Sequence, residues 1–149
     1  MRRAVLVLLV VVALAVVASP IPTASAAPRP IEQLLALLNG ERTDRGLAPV
    51  ALRDDVSEIA GNHSIAMSRE RALWHNDDWF SETTKRRVGA RTVGEDVAYA
   101  GSIAEVHAAL MASPEHRAII LDPRWSAVGL GAVDDGSLWW VTEDFLQPR

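Results

Sequence analysis

Three side chains stand out as groups that could do chemistry together. His75 follows Trp74 in an apolar setting, Glu95 follows Gly94 in an extended stretch, and His116 falls one turn into a helix that starts at Ser113-Pro114. A carboxylate on a strand and an imidazole at a helix start can face one cleft. Two imidazoles and a carboxylate could hold Zn²⁺ with an open position for water, and a metal held so could activate that water for hydrolysis. His75 and Glu95 are 20 residues apart and Glu95 and His116 are 21 apart. No compact two-histidine helix motif is present, so only the fold can bring the three together. The plainer alternative is a hydrogen-bonded polar cluster that fixes helix to strand.

Other chemistry finds less support. A serine mechanism needs Ser, His and an orienting acid in one place, and no such set can be assembled; Ser113 is better explained as a helix cap. Asp77-Asp78 and Asp134-Asp135 lack the ligand spacing of a calcium loop and read as turn residues. His63 lies on the apolar face of its helix and reads as a core or half-buried histidine making one hydrogen bond. With no cysteine in the chain, thiol catalysis, disulfides and cysteine metal sites are excluded.

The elements that must position the three groups can be traced in order. Ile31, Leu34, Leu35, Leu37 and Leu38 mark a first helix with Pro30 at its start and Gly46 past its end. Residues 47–52 are an extended link. Asp55 is the expected cap of a second helix, with Glu58 three residues on, running to about Ala72. Residues 73–80 read as a loop with an aromatic floor, and residues 81–87 as a short basic helix closed by Gly89. Residues 91–99 are extended and carry Glu95. Ser102 and Glu105 open another helix, and Ser113-Pro114 restarts one through about Leu121. Asp134-Asp135-Gly136 is a hairpin signal between two closing strands, 125–133 and 138–145. Early helices and a late hairpin predict an α+β class with helices covering a sheet.

The N-terminus reads as a secretory signal peptide over residues 1–27. Arg2-Arg3 precedes an uncharged Ala/Val/Leu run over residues 4–17, and Ala24-Ser25-Ala26-Ala27 offers the cleavage site. The run is shorter than the ~20 residues that span a bilayer. Cleavage predicts a secreted protein with no stable membrane anchor and one domain over residues 28–149. Losing Arg2 and Arg3 leaves 13 Lys+Arg against 19 Asp+Glu, a net charge of −6, which argues against nucleic acid as a partner.

Taken together, these stretches resemble the CAP superfamily, also called the SCP domain (cysteine-rich secretory proteins, antigen 5 and pathogenesis-related proteins), in its small bacterial secreted members. Leu38-Asn39 through Arg45-Gly46-Leu47-Ala48-Pro49-Val50 is similar to the family's opening Asn, Arg and Gly-Leu-x-Pro-Leu pattern. Ala60 to Met67 with His75 resembles its second helix and following histidine. Gly94-Glu95-Asp96 resembles its Gly-Glu-Asn, Ser113-Pro114-Glu115-His116-Arg117 its Ser-Pro-Gly-His-Arg, and Val128-Gly129-Leu130-Gly131 with residues 140–145 its closing strands. The resemblance implies a three-layer α-β-α sandwich with an open cleft. It implies a His/Glu cluster there, with His75, Glu95 and His116 as its members and as ligands to a divalent metal. Asp96 stands where the family usually has Asn, Leu110 and Val141 where it has Trp, and Glu143 where it has Gln.

Five Trp in this chain allow two readings, core layers on both sides of a sheet or an apolar groove. The family resemblance favours a small apolar ligand or a cell-envelope component as partner. The expectation is therefore a monomeric extracellular ligand-binding module, more a binder than an enzyme, with Zn²⁺ as the possible cofactor. Its rivals are a metal-dependent hydrolase acting on peptide or envelope material and a non-catalytic structural interaction domain.

Overall fold

A computed structural model describes residues 29–149; the signal-peptide assignment lies outside them. The elements run α1 (Pro30–Thr43), β1 (Ala51–Leu52), α2 (Asp54–Glu70), α3 (Asp77–Phe80), α4 (Glu82–Val88), β2 (Ala90–Ala100), α5 (Ile103–Ala112), α6 (Pro114–Ile120), β3 (Ala127–Asp134) and β4 (Trp139–Pro148). The strands form one sheet in the order β1-β3-β4-β2, with β1 parallel to β3 and the others antiparallel. This is the expected α+β sandwich. On one face, Leu34 and Leu38 of α1, Val106 and Leu110 of α5 and Ile120 of α6 pack against Ala98, Leu130, Val141 and Phe145. On the other, Val56 and Met67 of α2, Trp79 of α3 and Val88 of α4 pack against Leu146, Val97 and Trp140.

The strand period of two explains how one strand serves both layers. Trp140 joins Met67 on the α2 side, while Trp139 packs on the opposite cluster. Trp79, Trp125 and Trp140 are core residues, and each indole N–H donates to a protein oxygen: Gly94 O, Ile119 O and Asp135 Oδ2. Gly129 and Gly131 let α2 lie directly on β3. A Cβ at Gly131 would stand 2.3 Å from the carbonyl oxygen of Ala60, so no larger residue fits without moving the helix.

Several local expectations are corrected. α2 begins at Asp54 with Arg53 as its N-cap, because the Asp55 carboxylate pairs with Arg53 instead of capping. Ser113 precedes α6 without a side-chain cap, whereas Ser81 and Ser102 do cap α4 and α5. Residues 73–80 are not wholly loop, since α3 occupies their second half. The 47–52 link ends in β1, a parallel partner of β3.

Two polar side chains of α1 tie the layer together. Asn39 exchanges both amide hydrogen bonds with the backbone of Val50, at 3.0 and 2.8 Å. Arg42 is fully buried and donates to the carbonyls of Ala48, Ile120, Asp122 and Trp125.

Candidate functional site

β2 is an edge strand, and its middle is nevertheless buried. Segment 73–80 covers it from the α2 side and α6 from the other. Two concavities open along this edge. The first, about 540 Å³, is lined by His75, Phe80, Val93, Gly94, Ile119 and Trp125, together with Glu95, Asp122 and Arg124. The second, about 380 Å³, is lined by Leu73, Val97, Tyr99, Leu110, Ser113 and His116. Leu73, Trp74, Phe80 and Tyr99, all large and all exposed, border the edge.

The structure brings two of the three expected site residues together. His75 Nδ1 lies 2.7 Å from Glu95 Oε1, and the Asn76 backbone N–H donates to the same oxygen at 2.9 Å. With Glu95 ionised, Nδ1 is the donor, so Nε2 is the ring's free nitrogen. The His75 side chain is 54% exposed while that of Glu95 is fully buried. His116 lines the second concavity instead. The Val93-Gly94-Glu95 and Val97-Ala98-Tyr99 stretches belong to different hollows, so the two histidines serve different ends of the strand.

Among the described residues no three His, Asp or Glu side chains are grouped so as to hold a metal ion. The expected three-ligand Zn²⁺ set of His75, Glu95 and His116 is thus not formed here. His75 and Glu95 turn their nearest atoms to each other, and His116 belongs to another hollow. His63 is buried, and its Nε2–H donates to the Trp74 carbonyl at 2.8 Å while its ring meets the Trp74 ring edge-on. It holds the segment that carries His75.

Sequence reasoning missed the partner behind Glu95. The β2–β4 register sets Glu95 opposite Asp144 and Asp96 opposite Glu143. All four carboxyls are buried. Because the strand period is two, Glu95 and Asp144 belong to the α2 face and Asp96 and Glu143 to the α5 face. Glu95 Oε2 and both oxygens of Asp144 meet no donor. Burial, with the Glu95 carboxylate beside it, pushes the Asp144 carboxyl well above the usual range, which fits a proton held between the two acids. The clue in the sequence was two consecutive acids inside a strand otherwise rich in β-formers. Gly94 makes room for the first hollow's wall, since a Cβ there would lie 2.9 Å from the Trp125 ring. That ring stacks on Phe145 and carries the Arg124 guanidinium 5.3 Å from its centre.

The α+β sandwich, with its helices over a four-stranded sheet, matches the fold of SCP-domain proteins. The chain belongs to the cysteine-rich secretory protein (CAP) family, whose profile matches residues 35–145. It is 28% identical over 120 residues to YkwD, an uncharacterized protein of Bacillus subtilis, across 77% of this chain and 46% of that protein. The chain therefore spans about half the length of that relative. Among solved structures, an SCP-domain extracellular protein of Bacillus anthracis matches with a TM-score of 0.66 and 22% identity, over 77% of this chain and 39% of that one. An outer surface protein of Borrelia burgdorferi matches at 0.69 and 16%, over 80% and 93%. A cysteine-rich secretory protein of Staphylococcus aureus matches at 0.66 and 24%, over 79% and 38%. At these identities the structures show a shared fold.

Proposed function

We propose that this chain is an exported CAP-domain protein that binds a small apolar ligand or envelope component in the hollow beside Gly94, with His75 as its polar anchor. The observation that carries the reading is the lining of that hollow. Phe80, Val93, Ile119 and Trp125 supply an apolar wall, and one half-exposed imidazole, oriented by Glu95, stands beside it. Mostly apolar concavities with a few fixed polar groups are the usual form of small-ligand sites. Export is supported by the N-terminal pattern of the sequence and by the extracellular description of the Bacillus anthracis neighbour.

The hydrolase alternative has little to stand on. It needs a ligand set that the geometry does not assemble, and no serine lines the hollow beside His75. The test is titration of the mature chain with a fluorescent fatty-acid analogue, beside an Ile119→Trp variant that fills the hollow. Saturable binding weakened at least tenfold in the folded variant is the expected result. No saturable binding, or equal binding by both proteins, overturns the reading and favours a purely structural interaction domain.

A further inference from the structure

A separate hollow of about 550 Å³ lies among α2, α3 and α4, and it shares no lining residue with the groove beside Gly94. One stripe of α2 forms its wall. Asp55, Glu58, Ile59, Asn62, His63 and Ala66 recur there at helical spacing. Asp78 of α3 and Thr84, Arg87 and Val88 of α4 complete the lining.

Some charges on this surface are already paired. Arg53 takes the Asp55 carboxylate, and Lys85 takes Glu82. Glu58, Asp78 and Arg87 are exposed, and none of them forms an ion pair among the described residues. The lining therefore offers two open carboxylates and one open guanidinium.

Exposed charges alone would simply be solvated. Two buried side chains make this hollow different. His63 and Thr84 are each only 7% exposed, and both line it. His63 gives its Nε2–H to the Trp74 carbonyl, which leaves Nδ1 as an acceptor in the neutral ring. Thr84 spends its backbone N–H on Ser81 Oγ, and its hydroxyl has no partner among the described residues. The same holds for His63 Nδ1. Buried polar atoms are nearly always partnered, so two such atoms on one hollow mark places for the N–H groups of an occupant.

The chemistry of that occupant follows from the lining. An ammonium group carries three donors and no acceptor, which suits His63 Nδ1, Thr84 Oγ1 and the carboxylates of Glu58 and Asp78. The planar guanidinium of Arg87 matches a carboxylate. Ile59, Ala66 and Val88 add an apolar strip for a hydrocarbon stem. Two open carboxylates against one guanidinium call for two ammonium groups and one carboxylate. We propose that this hollow is a second binding site, specific for a small dibasic amino acid, with its ammonium groups on the acids and buried acceptors and its carboxylate on Arg87. The volume falls within the roughly 300–1,000 Å³ of small-ligand sites.

The test is an NMR titration of the ¹⁵N-labelled mature chain with L-lysine, beside two analogues. Norleucine lacks the side-chain ammonium, and 1,5-diaminopentane lacks the carboxylate. L-Lysine should shift the backbone amides of Glu58, Asn62 and Thr84 saturably, with the His63 Nδ1 resonance moving along the same curve. It should bind about tenfold more tightly than either analogue. A Glu58→Gln, Asp78→Asn double variant should weaken L-lysine about tenfold. Arg87→Gln should weaken L-lysine too, yet leave 1,5-diaminopentane unchanged or tighter, because it removes a repelling charge. All three positions are exposed, so urea midpoints should stay at the wild-type value. Absence of saturable shifts, undiminished L-lysine binding by the double variant, or equal binding of L-lysine and 1,5-diaminopentane by the wild type would overturn the proposal.

Discussion

Two carboxyl pairs cross the same two strands one residue apart, yet they differ in what covers them. Asp96 and Glu143 lie under the apolar side chains of α5 and its neighbours and meet no donor at all. Glu95 and Asp144 lie under segment 73–80, which supplies the His75 ring and the Asn76 N–H to one oxygen of Glu95. The first pair is closed to the surface. The second reaches it through a half-exposed imidazole. Identical chemistry on neighbouring ladder positions therefore yields a structural acid pair on one face and a cleft residue on the other. The covering segment makes the difference, and the acids themselves do not.

That contrast can be broken by substitution, and the largest effect should come from Glu95→Ala. It strips the acceptor from two donors and leaves Asp144 buried without its partner, a loss of about 3 kcal/mol in urea unfolding. A loss under 1 kcal/mol would mean that the open pair carries little of the fold. Asp96→Ala should cost somewhat less, about 2 kcal/mol at pH 7, since it removes the acid opposite Glu143 on β2 and leaves a small void. Circular dichroism melts can check the difference.

Milder changes sharpen the comparison. Asp144→Asn keeps a donor for Glu95, so its cost should stay within about 1 kcal/mol. His75→Ala removes a side chain that is 54% exposed; its unfolding cost should stay below about 1 kcal/mol, while binding of the fatty-acid analogue weakens about tenfold. His116→Ala should do least. Stability within about 0.5 kcal/mol of wild type and unchanged probe binding would confirm that the second hollow is separate. A drop matching that of His75→Ala would join the two hollows into one site.

Much of the framework was legible from the chain. The leucine spacing of α1, the glycine stops at Gly46 and Gly89, the serine cap of α5 and the Asp135-Gly136 turn are local signals, and they set elements close to where the fold has them. Pairing His75 with Glu95 was also within reach, because both lie in recognisable motifs. Caps were less secure. Asp55 had the right spacing to cap α2, but an adjacent arginine competed for its carboxylate.

The amino-acid sequence by itself determined the helices, the hairpin and the family, because propensity, turn chemistry and motif order act over a few residues. It also displayed Asp96 and Glu143 as departures from the family pattern. Only the tertiary structure decided that those two departures face each other, that Asp144 stands behind Glu95, and that His116 belongs to a different hollow. Register across strands and the placement of a helix beside an edge strand depend on how whole faces pack. A shift of one residue would exchange the sealed pair for the open one, and no local signal in the chain encodes that choice.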